Sequence, residues 1–376
     1  MLNIHLCNDE KFINIARERF ENHYPNCNIF IVNNPHKKSL KYVHPAHNIF
    51  TFDFNNKEVE KFIISETKGE KAVNLLVHFL DNYKLNLIIE LKKKIKFRVF
   101  WIFYGADIYN FLHRTGRYQL YDKEVNIFQA KIKRLLRGFY FNILEFKKNR
   151  KLKTFIKNLD FFCFWNYYDY LLLKNNFDTK AEYRKFGYGS THDFTSNFDG
   201  FKTRSKVIMV NNSGSTSGNH LTILRKLNDE QIKNSFSDLI VPLSYGSPQT
   251  IQEVNNFCLK NFKDKYEPLK LFMDQTLYFQ KMKTVDVVFF GHLRQEGAGN
   301  ITYLLALGSK IFLREQNNLL RYYRDLGLIL FSWETDFNNE KDLEPLTLSE
   351  QKNNRDIIMK EFSPESFNKI YKNLFK

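Results

Sequence analysis

In the carboxyl-terminal half of the chain, short runs of apolar and β-branched residues alternate with stretches of helical period. Lys206–Val210 (KVIMV) ends in NNSGSTSGN and leads into HLTILRKL, and Leu239–Tyr245 (LIVPLSY) passes through GSPQ into TIQEVNNFCLKNF. A weaker strand at Leu269–Phe272 precedes TLYFQKMKTV, and Asp286–Phe290 (DVVFF) is followed by GHLRQEGAGN and ITYLLALG. Lys310–Leu313 (KIFL) leads into NNLLRYYRDLG, and Leu328–Phe331 (LILF) closes the series. Apolar runs without polar alternation suit strands covered on both faces, so the pattern predicts a parallel α/β sheet with its ligands at the carboxyl ends of the strands.

The amino-terminal half follows the same grammar less regularly. LNIHL, NIFIV, VNLLVHFL, FRVFWIFYG and DFFCFW (160–165) are its strand candidates. Two doubly wound α/β domains are therefore expected, at 1–202 and 203–345, with 346–376 as closing helices. Segment 178–205, rich in Gly, Ser, Thr and Asn, reads as the connection between them.

Composition narrows the class. The chain has 376 residues, 43% of them apolar and 16% aromatic, with few Gly (15) and Pro (8), which excludes a mainly disordered or collagen-like chain. Cys7, Cys27, Cys163 and Cys258 show no CxxC spacing, so neither a disulfide framework nor a zinc site is implied, and a reducing, cytoplasmic compartment is expected. The start, MLNIHLCNDEKF, does not have the basic and then apolar layout of a signal peptide. The net charge of +16 favours anionic partners: nucleic acid, anionic lipid or phosphate-bearing small molecules.

Candidate chemistry gathers at the expected strand ends. In GHLRQEGAGN (291–300), Gly297 and Gly299 permit close backbone approach, the following helix offers free N–H groups, and Arg294 adds a fork of donors, all suited to a diphosphate. The plain alternative is an ordinary βα turn with a surface arginine. NNSGSTSGNH (211–220) offers small hydroxylated residues that suit either a phosphate- or sugar-gripping loop or a helix cap, with His220 at the helix start as an anion donor or a solvated surface residue. In the amino-terminal half Asp107, after Gly105-Ala106, stands where a general base would, or caps the next helix. His78, in an apolar strand, is either a second base candidate or a core residue. DxD, HExxH, Walker A and GxSxG motifs are absent, so no metal or serine nucleophile is expected.

Segment 131–157 holds ten Lys and Arg against the single acid Glu145, interleaved with aromatics. Its Lys133, Arg134, Arg137, Phe139, Phe141, Lys147 and Lys148 suit an anionic membrane surface. A nucleic-acid backbone and a solvated helix face are the competing readings.

These motifs, in this order, resemble the bacterial TDP-N-acetylfucosamine:lipid II N-acetylfucosaminyltransferases of enterobacterial common antigen synthesis, the glycosyltransferase family 56 type. That family's WxxxGADxY is matched by Trp101, Gly105, Ala106, Asp107 and Tyr109, and its NSG…H loop by Asn212, Ser213, Gly214, Ser217 and His220. VP-x-x-Y is matched by Val241, Pro242 and Tyr245, RQ-x-G-x-G by Arg294, Gln295, Gly297 and Gly299, and a strand ending in Arg-Glu by Arg314 and Glu315. Ser215, Thr216 and Asn219 depart from charged residues of the family pattern.

The resemblance implies a GT-B fold of two Rossmann-like domains facing across a cleft. It also implies an inverting, metal-independent transferase without cofactor. Such an enzyme would move a 4-acetamido-4,6-dideoxygalactose-like sugar from a TDP-sugar to a polyprenyl-diphosphate-linked saccharide, peripherally on the cytoplasmic face of the inner membrane. By the same token Asn212, Ser213, Gly214, His220, Tyr245, Arg294, Gln295, Gly297, Gly299, Asn300 and Glu315 would bind the donor. Asp107 would be the base, with His78 second. A UDP- or GDP-sugar, or a soluble acceptor, is the nearest alternative. A basic nucleic-acid-binding protein is the distant one, and no nucleic-acid partner is expected.

Overall fold

The structure, a computed structural model, describes residues 1–123, 149–189 and 206–376. The basic and aromatic residues Lys133, Arg134, Arg137, Phe139, Phe141, Lys147 and Lys148 fall outside the described residues. The chain forms two compact units, one from 1–111, 149–189 and 364–376, the other from 112–123 and 206–363. The chain therefore passes between the units more than once, rather than at a single connection near residue 202.

The first unit is built on strands β1 (Leu2–Cys7), β2 (Asn28–Asn33), β3 (Ile49–Phe52), β4 (Val73–His78), β5 (Arg98–Ile102), β6 (Phe161–Phe164) and β7 (Glu182–Lys185). They are all parallel, in the order β3-β2-β1-β4-β5-β6-β7. Every residue of β1 and β4 is buried, as in inner strands covered on both faces, including the polar Asn3, His5, Asn74 and His78. Polar residues inside these strands set the register: Asn74 donates to Asn3 at 2.9 Å, Asn3 to Asn28 at 3.0 Å, and Arg98 to Asn74 at 2.9 Å. A one-residue slip would bury these amides unpaired, so the ladder specifies the pairing. Strand β7 lies in the segment expected to be only a connection. Its EYRK sequence is polar because it is an edge strand, exposed where an inner one would be covered.

Helices α1 (Phe12–His23), α2 (Lys57–Glu66), α3 (Asn82–Leu91), α4 (Ala106–Arg114) and α5 (Tyr167–Asn176) follow the strands. Asn56, Asp81 and Asn166 cap α2, α3 and α5.

The second unit has β8 (Val207–Val210), β9 (Asp238–Pro242), β10 (Tyr266–Leu269), β11 (Val287–Phe289), β12 (Lys310–Leu313) and β13 (Phe331–Ser332), all parallel in the order β10-β9-β8-β11-β12-β13. β10 begins three residues before the run expected at Leu269, because Tyr266 is buried against the core whereas Leu271 and Phe272 are exposed. Between the strands lie α6 (His220–Leu227), α7 (Glu230–Asn234), α8 (Pro248–Asn261), α9 (Gln275–Lys283), α10 (Ala298–Ala306) and α11 (Asn318–Asp325). α12 (Leu348–Glu361) packs on α10 in this unit, and α13 (Pro364–Asn373) packs on α1 in the first. Ile208, Val210, Leu224, Val241, Phe289 and Phe312 are at the centre of the second core.

In both sheets the strand order reverses beside the first strand, between β1 and β4 and between β8 and β11. In sheets of this kind such a reversal, at the carboxyl ends of the strands, is where ligands bind.

Candidate active site

At the reversal point of the second unit, two asparagines in left-handed conformation stitch the diverging loops together. Asn211 (φ 59) donates to the Gly218 carbonyl at 2.9 Å and accepts from the Gly291 N–H at 2.8 Å. Asn219 (φ 47) donates to the Gly291 carbonyl at 2.9 Å. Asparagine tolerates this conformation better than other chiral residues. The loops after β8 and β9 also meet through backbone: Gly214 N–H donates to the Tyr245 carbonyl at 2.8 Å, and Ser247 N–H to the Gly214 carbonyl at 3.0 Å. Gly246 has φ +135, and a Cβ there would lie 2.2 Å from the Gly214 carbonyl carbon, so only glycine fits.

The polar groups between these loops form one cluster. Glu296 accepts the Ser217 hydroxyl at 2.7 Å, pairs with Arg294 at 2.5 Å, and lies 3.3 Å from His292 Nε2. Ser217 also meets Ser215 at 2.7 Å. Gly297 (φ 69) opens α10, and no side chain caps that helix. Space beside Gly299 is open, whereas a Cβ at Gly297 would meet Asn212 Oδ1 at 2.9 Å. The glycine at 297 is thus required by conformation and contact; the one at 299 leaves room.

The remaining expected donor-side residues lie around this cluster. Asn212 donates to the Tyr245 hydroxyl at 3.3 Å, and the Tyr245 side chain is 53% exposed. The Ser213 hydroxyl, buried, accepts from Ser215 N–H at 3.4 Å. Asn300 accepts from the Tyr278 hydroxyl at 2.9 Å. Gln295 is buried, and Glu315, at the end of β12, is exposed. His220 is a buried residue, not a solvated surface one. Burial, with His292 nearby, pushes its pKa down to about 3, so it is neutral at physiological pH. The Ser213 main chain is the polar group facing its ring, without hydrogen-bond geometry to either ring nitrogen. His292 is likewise lowered by burial, although Glu296 opposes the shift.

Residues 118–122 strap this edge. Tyr118 donates its hydroxyl to the Leu293 carbonyl, and Asn219 accepts from Asp122 N–H at 2.9 Å. The Asp122 carboxylate takes a bidentate pair from Arg314, at 3.0 and 3.1 Å, and Arg314 reaches Glu334 at 2.5 Å. Burial disfavours the Arg314 charge, but Asp122 and then Glu334 outweigh it and raise the pKa. Asn317 caps α11 and donates to the His292 and Arg294 carbonyls at 2.8 and 2.9 Å. Asp122, Glu296 and Asn211 are not singled out by the sequence, and Asn219 stands there only as a departure from the family pattern. The Asp122–Arg314 pair spans 192 residues, so no local spacing signals it.

The carboxyl edge of the first unit carries a buried polar chain. His5 Nδ1 lies 2.9 Å from His78 Nε2, His78 Nδ1 2.6 Å from the Tyr188 hydroxyl, and that hydroxyl 2.8 Å from Tyr104. Burial first, and then Lys84, lowers His78 to about 3; burial raises both tyrosines well above their usual range. Asp107 sits in the first turn of α4 and accepts from Trp101 Nε1 at 3.0 Å, Leu80 N–H at 3.3 Å and Tyr104 N–H at 3.4 Å. Burial raises it to about 6 despite these donors. In the same unit the fully buried Lys84 donates to Asp81 and Asn8, each at 2.8 Å. Among the described residues no group of three His, Cys, Asp or Glu side chains could hold a metal ion, and no helix is long and apolar enough to cross a membrane.

With this geometry in hand, residues 191–350 match the family described as 4-alpha-L-fucosyltransferase, glycosyl transferase group 56. No curated protein matches the chain. Among solved structures, a sucrose-phosphate synthase from Thermosynechococcus elongatus is similar over 100% of this chain and 99% of its own, at 10% identity and TM-score 0.65. A glycosyltransferase from Rickettsia africae covers 100% and 99% at 11% identity and TM-score 0.63. WaaG, a glycosyltransferase involved in lipopolysaccharide biosynthesis, covers 98% and 94% at 9% identity and TM-score 0.51. The fold is GT-B, with two Rossmann-like domains, as the resemblance implied.

Proposed function

Starting from a glycosyltransferase of GT-B fold whose residues 191–350 are of the group 56 type, we propose that it moves an N-acetylated deoxy-amino sugar from a TDP-sugar to a polyprenyl-diphosphate-linked saccharide. The reaction is inverting and needs no metal. The observation that carries the donor side is the cluster at the β8–β11 reversal: Arg294 beside the uncapped amino terminus of α10, with Gly297 in left-handed conformation. Such a terminus offers N–H groups and a partial positive charge to a diphosphate, and Arg294 adds to both as negative charge develops on the leaving group.

Around it, Glu315, an exposed carboxylate at the end of β12, would accept from ribose hydroxyls. Asn212, Ser217 and Tyr245 face the sugar. Leu271 and Phe272, 82% and 86% exposed on the loop after β10, offer a flat apolar face for the base. The acceptor belongs to the first unit. Its hydroxyl oxygen attacks the anomeric carbon, the bond from that carbon to the diphosphate oxygen breaks with the electron pair leaving on the nucleotide, and the hydroxyl proton passes to Asp107. A carboxylate raised to about 6 and aligned by Trp101, Leu80 and Tyr104 suits a base at neutral pH. His78, buried and neutral, reaches the edge only through Tyr188 and Tyr104, which favours Asp107 over it. The basic, aromatic composition of 131–157 supports a peripheral seat on the anionic cytoplasmic membrane face, where the acceptor lipid would be.

The test is thermal stabilisation by nucleotides and nucleotide sugars with and without EDTA, followed by turnover on a polyprenyl-diphosphate-linked acceptor. Selective, EDTA-insensitive stabilisation by TDP species is expected; selective response to UDP or GDP species would move the donor. Asp107→Asn should lower turnover by about 10²–10⁴ with donor affinity kept, and undiminished turnover would remove Asp107 as the base.

A further inference from the structure

We propose that Glu296 is a built-in counter-charge in the diphosphate cradle, making the site hold the donor in preference to the free nucleoside diphosphate product. The inference deepens the reading of loop 291–300 as the diphosphate site and rests on it. Glu296 places a carboxylate where an incoming anion is expected. Its Oε1 contacts both Arg294, at 2.5 Å, and the Ser217 hydroxyl, at 2.7 Å, and its Oε2 faces His292 at 3.3 Å. The Arg294 and Glu296 side chains are 15% and 18% exposed, so their charges are weakly screened.

Among the described residues Glu296 is the one ion-pair partner of Arg294, through guanidinium Nη2. The other nitrogens of the fork remain as donors to a phosphate oxygen. Burial disfavours a charge on His292, although Glu296 opposes that. Arg294 and Glu296 therefore sum to zero formal charge at the mouth of α10, and the helix terminus and Arg294 must attract the ligand against a fixed negative group.

That group does not act equally on the two ligands. The diphosphate of a nucleotide sugar is a diester with about two negative charges, whereas a free nucleoside diphosphate gains roughly a third on its terminal phosphate, whose last ionisation lies near pH 6. The added charge sits on the oxygen released from the sugar, within the reach of Glu296 if Arg294 holds the diphosphate. Repulsion of a third charge by a carboxylate a few ångströms away weakens product binding more than donor binding. A transferase built this way releases its nucleotide and resists product inhibition.

The experiment is calorimetric titration of the full chain and of Glu296→Gln with TDP, UDP and the corresponding nucleotide sugars, together with product-inhibition constants. Glutamine keeps an oxygen for Ser217 and Arg294 and removes only the charge. The variant should bind the nucleoside diphosphate about tenfold tighter and the nucleotide sugar about threefold tighter, with product inhibition strengthened in the same ratio. Independently of any variant, the wild-type preference for donor over product should shrink between pH 7 and 5.5, as the product loses its third charge. Equal changes for both ligands, or weaker binding of both, would overturn the inference and make Glu296 a group that orients Arg294. Selective loss of the nucleotide sugar would overturn it too, and would place Glu296 against the sugar. Wild-type protein that binds neither ligand would instead remove the diphosphate site itself.

Discussion

Acidification from pH 7 to pH 5 should destabilise the second unit through His220. Burial pushes this imidazole down to about 3 in the folded chain, whereas an unfolded histidine titrates near 6.5. The unfolded state therefore binds more protons throughout that window, and stability must fall as the pH falls. At about 1.4 kcal/mol per pH unit below the unfolded value, the loss from His220 at pH 5 is about 2 kcal/mol. His292 is shifted in the same direction and adds to it. In the first unit His78, also lowered to about 3, and His5, well below its usual value, have the same sign. Asp107 has the opposite sign, because a carboxyl raised to about 6 gains a proton in the folded state first, and it offsets part of that loss.

The assay is urea denaturation at pH 7, 6 and 5, with imidazole NMR over the same range. His220→Gln should remove roughly 2 kcal/mol of the pH-dependent loss. An imidazole signal of His220 titrating near 6.5, or an unchanged urea midpoint at pH 5, would refute the reasoning, since either would mean that the ring takes up its proton without unfolding.

Asp122→Ala should cost about 3 kcal/mol in urea unfolding, because Arg314 keeps only Glu334 and the Asn219–strap contact loses its support; Asp122→Asn should cost less, since an acceptor oxygen remains. Gly246→Ala should lower the melting temperature and abolish nucleotide-dependent stabilisation together, as its Cβ would collide with the Gly214 carbonyl that joins the two loops. Arg294→Ala should weaken nucleoside diphosphate binding by about tenfold or more in calorimetry.

The alternation of apolar runs and helical stretches was enough to identify parallel α/β sheets, because strands such as Val207–Val210 and Val287–Phe289 are buried on both faces and are apolar throughout. The loops carrying Asn212, Ser217, Arg294 and Gly297 were legible for the same reason: they follow buried strands, and the chemistry of such folds lies at strand ends. Polar edges were harder. β7 reads as a linker because an edge strand needs no apolar face.

What the sequence determined, then, was the fold class and the position of the polar loops that follow the buried strands, since each follows from residues close together along the chain. Tertiary structure alone decided what those residues are bonded to. It made His220 a buried neutral ring, gave Arg294 to Glu296, and brought Asp122 to Arg314 across 192 positions. It also joined His5, His78, Tyr188 and Tyr104 into one chain of hydrogen bonds. The physical reason is that local pattern encodes which face of an element is buried, whereas charge state depends on desolvation and on partners that only packing brings within a few ångströms.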